Sequence, residues 1–204
     1  ADFNTGIGTK ALQVNTTGAK NTAIGSNALD ANTTGDNNVA VGTSALSAAT
    51  TADKNTALGY FAGADVTTGI RNVAVGAEAL RQKTTSNDCT AIGFNAMFNS
   101  SNGDHNTCVG SSAGYNISTG SENTVVGSAA LDANTTGNNN VAVGRQALGV
   151  NTTASNNVAV GSFAMDASTT AHSSTCVGYD AGTAITTGVF NTAIGLQALD
   201  ALTT

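Results

Sequence analysis

Apolar positions recur along this chain with a strict period. Ile24, Val41, Leu58, Val75 and Ile92, continuing to Ile194, stand 17 residues apart, and each is followed by glycine, from Gly25 and Gly42 to Gly178 and Gly195. The period has no insertion or deletion, and twelve repeats account for all 204 residues. With that glycine as position 1, the consensus is G-x-x-A-L-x-x-N-T-T-G-x-x-N-(T/V)-A-(I/V). Position 4 is Ala in every copy, from Ala11 to Ala198, and position 14 is Asn except at Cys89 and Ser174. A fixed period of this length is the signature of a stacked repeat architecture.

The segment N-(T/V)-A-(I/V)-G is short and rich in β-branched residues, which predicts one strand per coil. Alternation along a strand sends positions 15 and 17 to one face and positions 14 and 16 to the other. Position 17 is large and apolar and position 16 is small, so both faces read as buried: the Ile/Val/Leu column in the core beside the Leu column of position 5, the small face against other copies of the chain. The N-T-T-G stretch reads as a corner, with Asn, Thr and Gly supplying positive φ or local side-chain bonds. A helical repeat would need 3.6-residue periodicity and few glycines, the reverse of what is present. The expected fold is therefore all-β: a parallel β-solenoid of twelve 17-residue coils filling residues 1–204 as one repeat domain. At one strand spacing per coil, such a rod is about 58 Å long.

Charge sorts by the same period. All twenty charged residues fall at positions 2, 3, 6, 7, 8, 12 or 13, as expected if the remaining columns are interior. Position 5 is Leu or Met except at Gly63, Gly114 and Gly182, and those coils carry Val66, Ile117 and Ile185 at position 8, where Leu202 is the one other aliphatic residue. This reads as volume compensation, with those coils turning differently.

Composition narrows the functional classes. The chain has 24 Gly, no Pro and no Trp, so its core is thin, and 17-residue coils with so little apolar area point to reinforcement by association. A net charge of −6 with 10% charged residues gives no electrostatic footprint for nucleic acid. No apolar run spans a bilayer, and the N-terminus lacks the form of a signal peptide, so any export signal is expected outside this segment. Cys108 and Cys176 share a column four coils apart and Cys89 is out of register with both, so internal disulfides are not expected.

N-T-A-I-G (Asn21 to Gly25), N-V-A-V-G (Asn38 to Gly42) and the linking S-N-A-L-D-A-N-T-T-G (Ser26 to Gly35) resemble the head repeats of trimeric autotransporter adhesins and the similar repeats of phage tail fibres. The resemblance covers all twelve coils. It implies a left-handed parallel β-roll, a homotrimer about a three-fold axis, and an extracellular location on a cell surface or virion. The 17-residue coil is longer than in the best-known adhesin heads, and the chain is expected to be a segment of a longer fibre.

Candidate chemistry is sparse. No nucleophile sits in a recognisable setting and no phosphate-binding glycine loop occurs, so neither an enzyme nor a cofactor is expected. His105 and His172 have no converging ligands, and Asp2, Asp36, Asp53 and Asp104 at position 12 lack the nonapeptide of calcium-binding solenoids, so no metal is expected. The Asn-x-Ser/Thr triplets at Asn15, Asn32, Asn99, Asn116, Asn134 and Asn151 abut or coincide with the turn consensus and are not read as glycosylated. Tyr60, Phe61, Phe94, Phe98, Tyr115, Phe163 and Tyr179, at variable positions 2, 3 and 6, are candidate contacts for a cell-surface glycan or protein receptor, and equally suit padding of an outer wall or an interchain seam.

The function these features imply is a structural or adhesive fibre segment giving reach, rigidity and attachment. Two alternatives stay open: a matrix filament that polymerises end to end, since the chain starts at position 11 and ends at position 10, and an ice-binding solenoid using the Thr columns of positions 9 and 10.

Overall fold

The structure, a computed structural model, describes residues 2–201; Leu202 lies outside them. It contains two compact units, Ala1–Asn102 and Gly103–Thr204. In the first, strands β1 (Thr5–Ile7), β2 (Thr22–Ile24), β3 (Val39–Val41), β4 (Thr56–Leu58), β5 (Val73–Val75) and β6 (Thr90–Ile92) pair in chain order. In the second, β7 (Thr107–Val109), β8 (Thr124–Val126), β9 (Val141–Val143), β10 (Val158–Val160), β11 (Thr175–Val177) and β12 (Thr192–Ile194) do the same. Every pairing is parallel and joins residues one period apart, as in Ala40 beside Ala57 and Val41 beside Leu58. The expected all-β parallel β-solenoid is what the structure shows, with no helix among the described residues.

The two strand faces are distributed otherwise than the apolar pattern predicts. Position 16 points inward: Ala23, Ala40, Ala57, Ala142 and Ala159 are wholly buried. Position 17 points outward, with Ile24 37% and Leu58 49% exposed. The large β-branched column is therefore the outer face of a single chain, and the small column is its core. The reason is width. A coil of 17 residues leaves room inside for Ala opposite the Leu, Met and Ala of positions 4 and 5, all buried in the middle coils, and no room for a second column of Val or Ile.

Asparagine completes the interior. Asn21, Asn38, Asn55 and Asn72 are buried in one column, and the backbone N–H of each following coil donates to the preceding Oδ1, as from Asn38 to Asn21 at 2.8 Å and from Asn55 to Asn38 at 2.9 Å. Each Nδ2 also donates to the carbonyl of position 11 in the next coil, as Asn21 does to Gly35 at 2.7 Å. The amide thus ties the strand to the corner above it and pairs both of its polar atoms in these coils. Asn106, Asn123 and Asn140 repeat the scheme in the second unit.

The corners rest on left-handed backbone. Positions 3, 5 and 13 have positive φ in every described coil, including non-glycine residues such as Lys20 (58°), Asn27 (56°) and Leu29 (49°). Each of these residues donates its N–H to a neighbouring coil: Lys20 to Asp2, Asn27 to Thr9 and Leu29 to Ala45. Inter-coil hydrogen bonds offset a conformation that L-residues otherwise avoid. Position 1 tolerates no side chain, since a Cβ on Gly8, at φ 128°, would lie 2.6 Å from the Gly25 carbonyl oxygen. The glycine of N-T-T-G has no positive φ, in contrast to the turn expectation, and Ala52, Ala154 and Ala171 take its place in other coils.

Gly63, Gly114 and Gly182 do not redirect their coils. Their φ values of 59°, 60° and 69° match the leucines of the same column. Volume explains them. A Cβ on Gly114 would lie 2.5 Å from Cys108 Sγ and 2.7 Å from Ile117 Cδ1, and one on Gly182 would lie 2.5 Å from Cys176 Sγ. Position 8 is interior as well, so its charge is not external as its place in the pattern implied: Lys83 is wholly buried and its Nζ donates to Ser100 Oγ at 3.1 Å.

Candidate functional site

Most polar columns are occupied by the fold itself. Where the next coil carries an acceptor at position 12, the backbone N–H of that position donates to its side chain: Ala19 to Asp36 at 2.7 Å, Asp36 to Asp53 at 2.7 Å, Ser121 to Asn138 at 2.7 Å. His172 belongs to the same column, its Nδ1 accepting from Ser155 N–H at 2.9 Å, which places its proton on Nε2. The position 9 hydroxyls donate along the ladder, as Thr16 does to the Thr33 carbonyl at 2.8 Å and Thr33 to that of Thr50 at 3.0 Å. Asn32, Asn134 and Asn151 are buried beside this corner.

Cys89, Cys108 and Cys176 are buried thiols outside any disulfide. Burial pushes the Cys176 thiol up to about 11, more than the Ala193 backbone bond lowers it, so little reactive thiolate forms there.

Two surfaces are left over from this accounting. The first is the outer strand face of positions 15 and 17: Thr22, Val39, Thr56 and Val73 beside Ile24, Val41, Leu58 and Val75 in the first unit, and Val141 and Val158 beside Val143 and Val160 in the second. It carries Thr hydroxyls and aliphatic groups and no charge. Its residues are exposed or half-buried throughout.

The second is the wall of positions 2, 3 and 6, where the candidate aromatic residues lie. Tyr60 and Phe61 meet edge to face with ring centres 4.5 Å apart. The Arg81 guanidinium lies 4.6 Å from the Phe61 ring centre and 5.8 Å from that of Phe98, and pairs with Glu78 at 3.0 Å. Phe94 stands 56% exposed on the same wall, and Tyr60 54%. In the second unit Phe163 and Tyr179 meet at 6.0 Å, with Arg145 5.0 Å over Phe163. Tyr115 is half-buried. The structure thus gathers Tyr60, Phe61 and Phe98 through Arg81, and joins Phe163 to Tyr179.

Arg81, Glu78 and Arg145 were not among the candidates of the sequence reading, which on this wall weighed the aromatic residues. The period held the signal: Phe98 is one repeat beyond Arg81, so the two are stacked neighbours. No family model, no curated protein and no solved structure matches this chain.

Proposed function

We propose that the chain is a structural segment of an extracellular fibre of the kind its repeats resemble, in which left-handed β-rolls associate about a three-fold axis through their outer strand faces and provide reach, rigidity and attachment rather than catalysis. The observation that carries this reading is the uncharged face of positions 15 and 17. A surface strand on a lone solenoid gains solubility from charge, yet all seven Lys and Arg and all thirteen Asp and Glu lie in other columns. Ile24, Leu58, Val126 and Ile194 leave between 37% and 70% of their surface open in the single chain, and a mate of the same composition would cover it.

Solution mass tests the reading. Light scattering is expected to give three times the 20.0 kDa of one chain. Val143→Asp together with Val160→Asp, both on the outer face, is expected to give the single-chain mass with an unchanged far-ultraviolet spectrum. A wild-type chain that stays single at the concentrations of the measurement overturns the fibre reading, and filaments of unlimited length favour the matrix alternative.

A further inference from the structure

A repeat protein contains its own control: each coil shows how the wall looks when the fold alone decides. The coils opening at Gly25 and Gly42 fill positions 2, 3 and 6 with Ser26, Asn27 and Asp30, and with Thr43, Ser44 and Ser47. Their left-handed position 3 (Asn27 56°, Ser44 55°) matches that of Phe61 (53°) and Phe163 (62°). The fold therefore asks for no ring at these sites. Placing a bulky aromatic residue at positive φ is also the uphill choice, since Asn occupies that region more readily.

The chemistry of the patch selects a ligand. Tyr60 and Phe94 expose their rings two coils apart, about 10 Å, with the small Ala77 between them, a span of the order of a disaccharide. Arg81 is held by Glu78 and stacked on Phe61 and Phe98, so the patch presents no net charge to an ionic partner. Polar groups border the rings: the Tyr60 hydroxyl, and the Glu78 carboxylate that pairs with Arg81. Ring faces that accept C–H groups, bordered by acceptors for hydroxyls, suit a sugar. No cavity occurs among the described residues, so a ligand lies along the wall, as an extended chain of sugars does. The second unit carries the same combination of ring pair, arginine and carboxylates in Phe163, Tyr179, Arg145, Asp166 and Asp180.

We propose that this wall binds a neutral oligosaccharide, which stacks on Tyr60 and Phe94 in the first unit and on Tyr179 in the second. The proposal names the ligand class for the adhesive part of the fibre reading and takes only its biological setting from that reading.

The test is saturation-transfer difference NMR on the full chain with four neutral hexasaccharides, of α-1,4-glucose, β-1,4-glucose, β-1,4-mannose and β-1,4-N-acetylglucosamine, followed by titration of those that respond. At least one is expected to bind. The triple variant Tyr60→Ala, Phe94→Ala, Tyr179→Ala is expected to weaken binding by about tenfold or more, while Ser26→Ala, at position 2 of a ring-free coil, leaves it unchanged. Far-ultraviolet spectra confirm that both variants fold. No transfer from any of the four sugars, or binding indifferent to the triple variant, overturns the proposal. So does a triple variant that dissociates the chains, the rings then being a protein contact. Solution mass in the same samples separates the two readings: a single chain that binds sugar retires the fibre reading and keeps this one.

Discussion

At the scale of the residue, the coil depends on backbone states that side chains ordinarily resist. Glu122 is exposed, has φ 60° and donates its N–H to Asp104 at 3.1 Å, so its conformation serves the corner and its side chain does not. Glu122→Gly keeps the hydrogen bond and removes the left-handed penalty; it is expected to stabilise the fold by about 1 kcal/mol, read as a rise in thermal midpoint of a few degrees. Asp132 illustrates the opposite kind of cost. Burial pushes its carboxyl above the ordinary value, more than the backbone N–H groups of Asp132 and Ala133 draw it down. The folded chain then holds this proton more tightly than the unfolded chain does. Stability from this group is fully present below the usual carboxylate range and is lost as pH rises through the raised value. Asp132→Asn is accordingly expected to raise the thermal midpoint at neutral pH, with the gain disappearing below about pH 4.

At the scale of the element, a three-residue strand gains its definition from what flanks it. The period, the strand position, the Asn column and the Gly63–Val66 exchange were legible in the sequence because stacking forces like onto like. Which strand face turns inward was not. Hydrophobicity favoured Val41 over Ala40, while the coil's width admits only the smaller, and width is a property of the closed turn rather than of any residue. Positive φ at Leu29 and Leu46 was equally invisible, since nothing in leucine announces it. In the candidate site the rings were legible as departures from the consensus, whereas the Arg81–Glu78 pair needed a structure to place its guanidinium over Phe61. The inward assignment has a direct consequence. Ala142 is wholly buried in β9, so Ala142→Asp places an unpaired charge in the core, at a cost of several kcal/mol, and is expected to abolish the native spectrum. Ser155→Asp at position 12 leaves it intact, because Asp36 and Asp53 already hold that column as acceptors. Equal melting of the two variants would place the strand the other way round.

At the scale of the whole molecule, each unit is a one-dimensional stack in which a coil is supported by the coils before and after it. Its polar columns follow that logic: the side chain of one coil satisfies the N–H of its neighbour, so most buried polar groups are paired without water or cross-links. The packing of Cys108, Gly114 and Ile117, and of Cys176, Gly182 and Ile185, adds a rule about inheritance. Each trio straddles the glycine that marks the written repeat, with the sulfur before it and the other two residues after. A duplication or exchange cut at that glycine separates the thiol from the space made for it and sets a leucine against it. Cut instead at the corner, as in residues 104–120, the block travels with its fit intact. The heritable module of this solenoid therefore runs from corner to corner, half a turn out of phase with its sequence motif, and chimaeras spliced at the corner will fold where those spliced at the glycine fail.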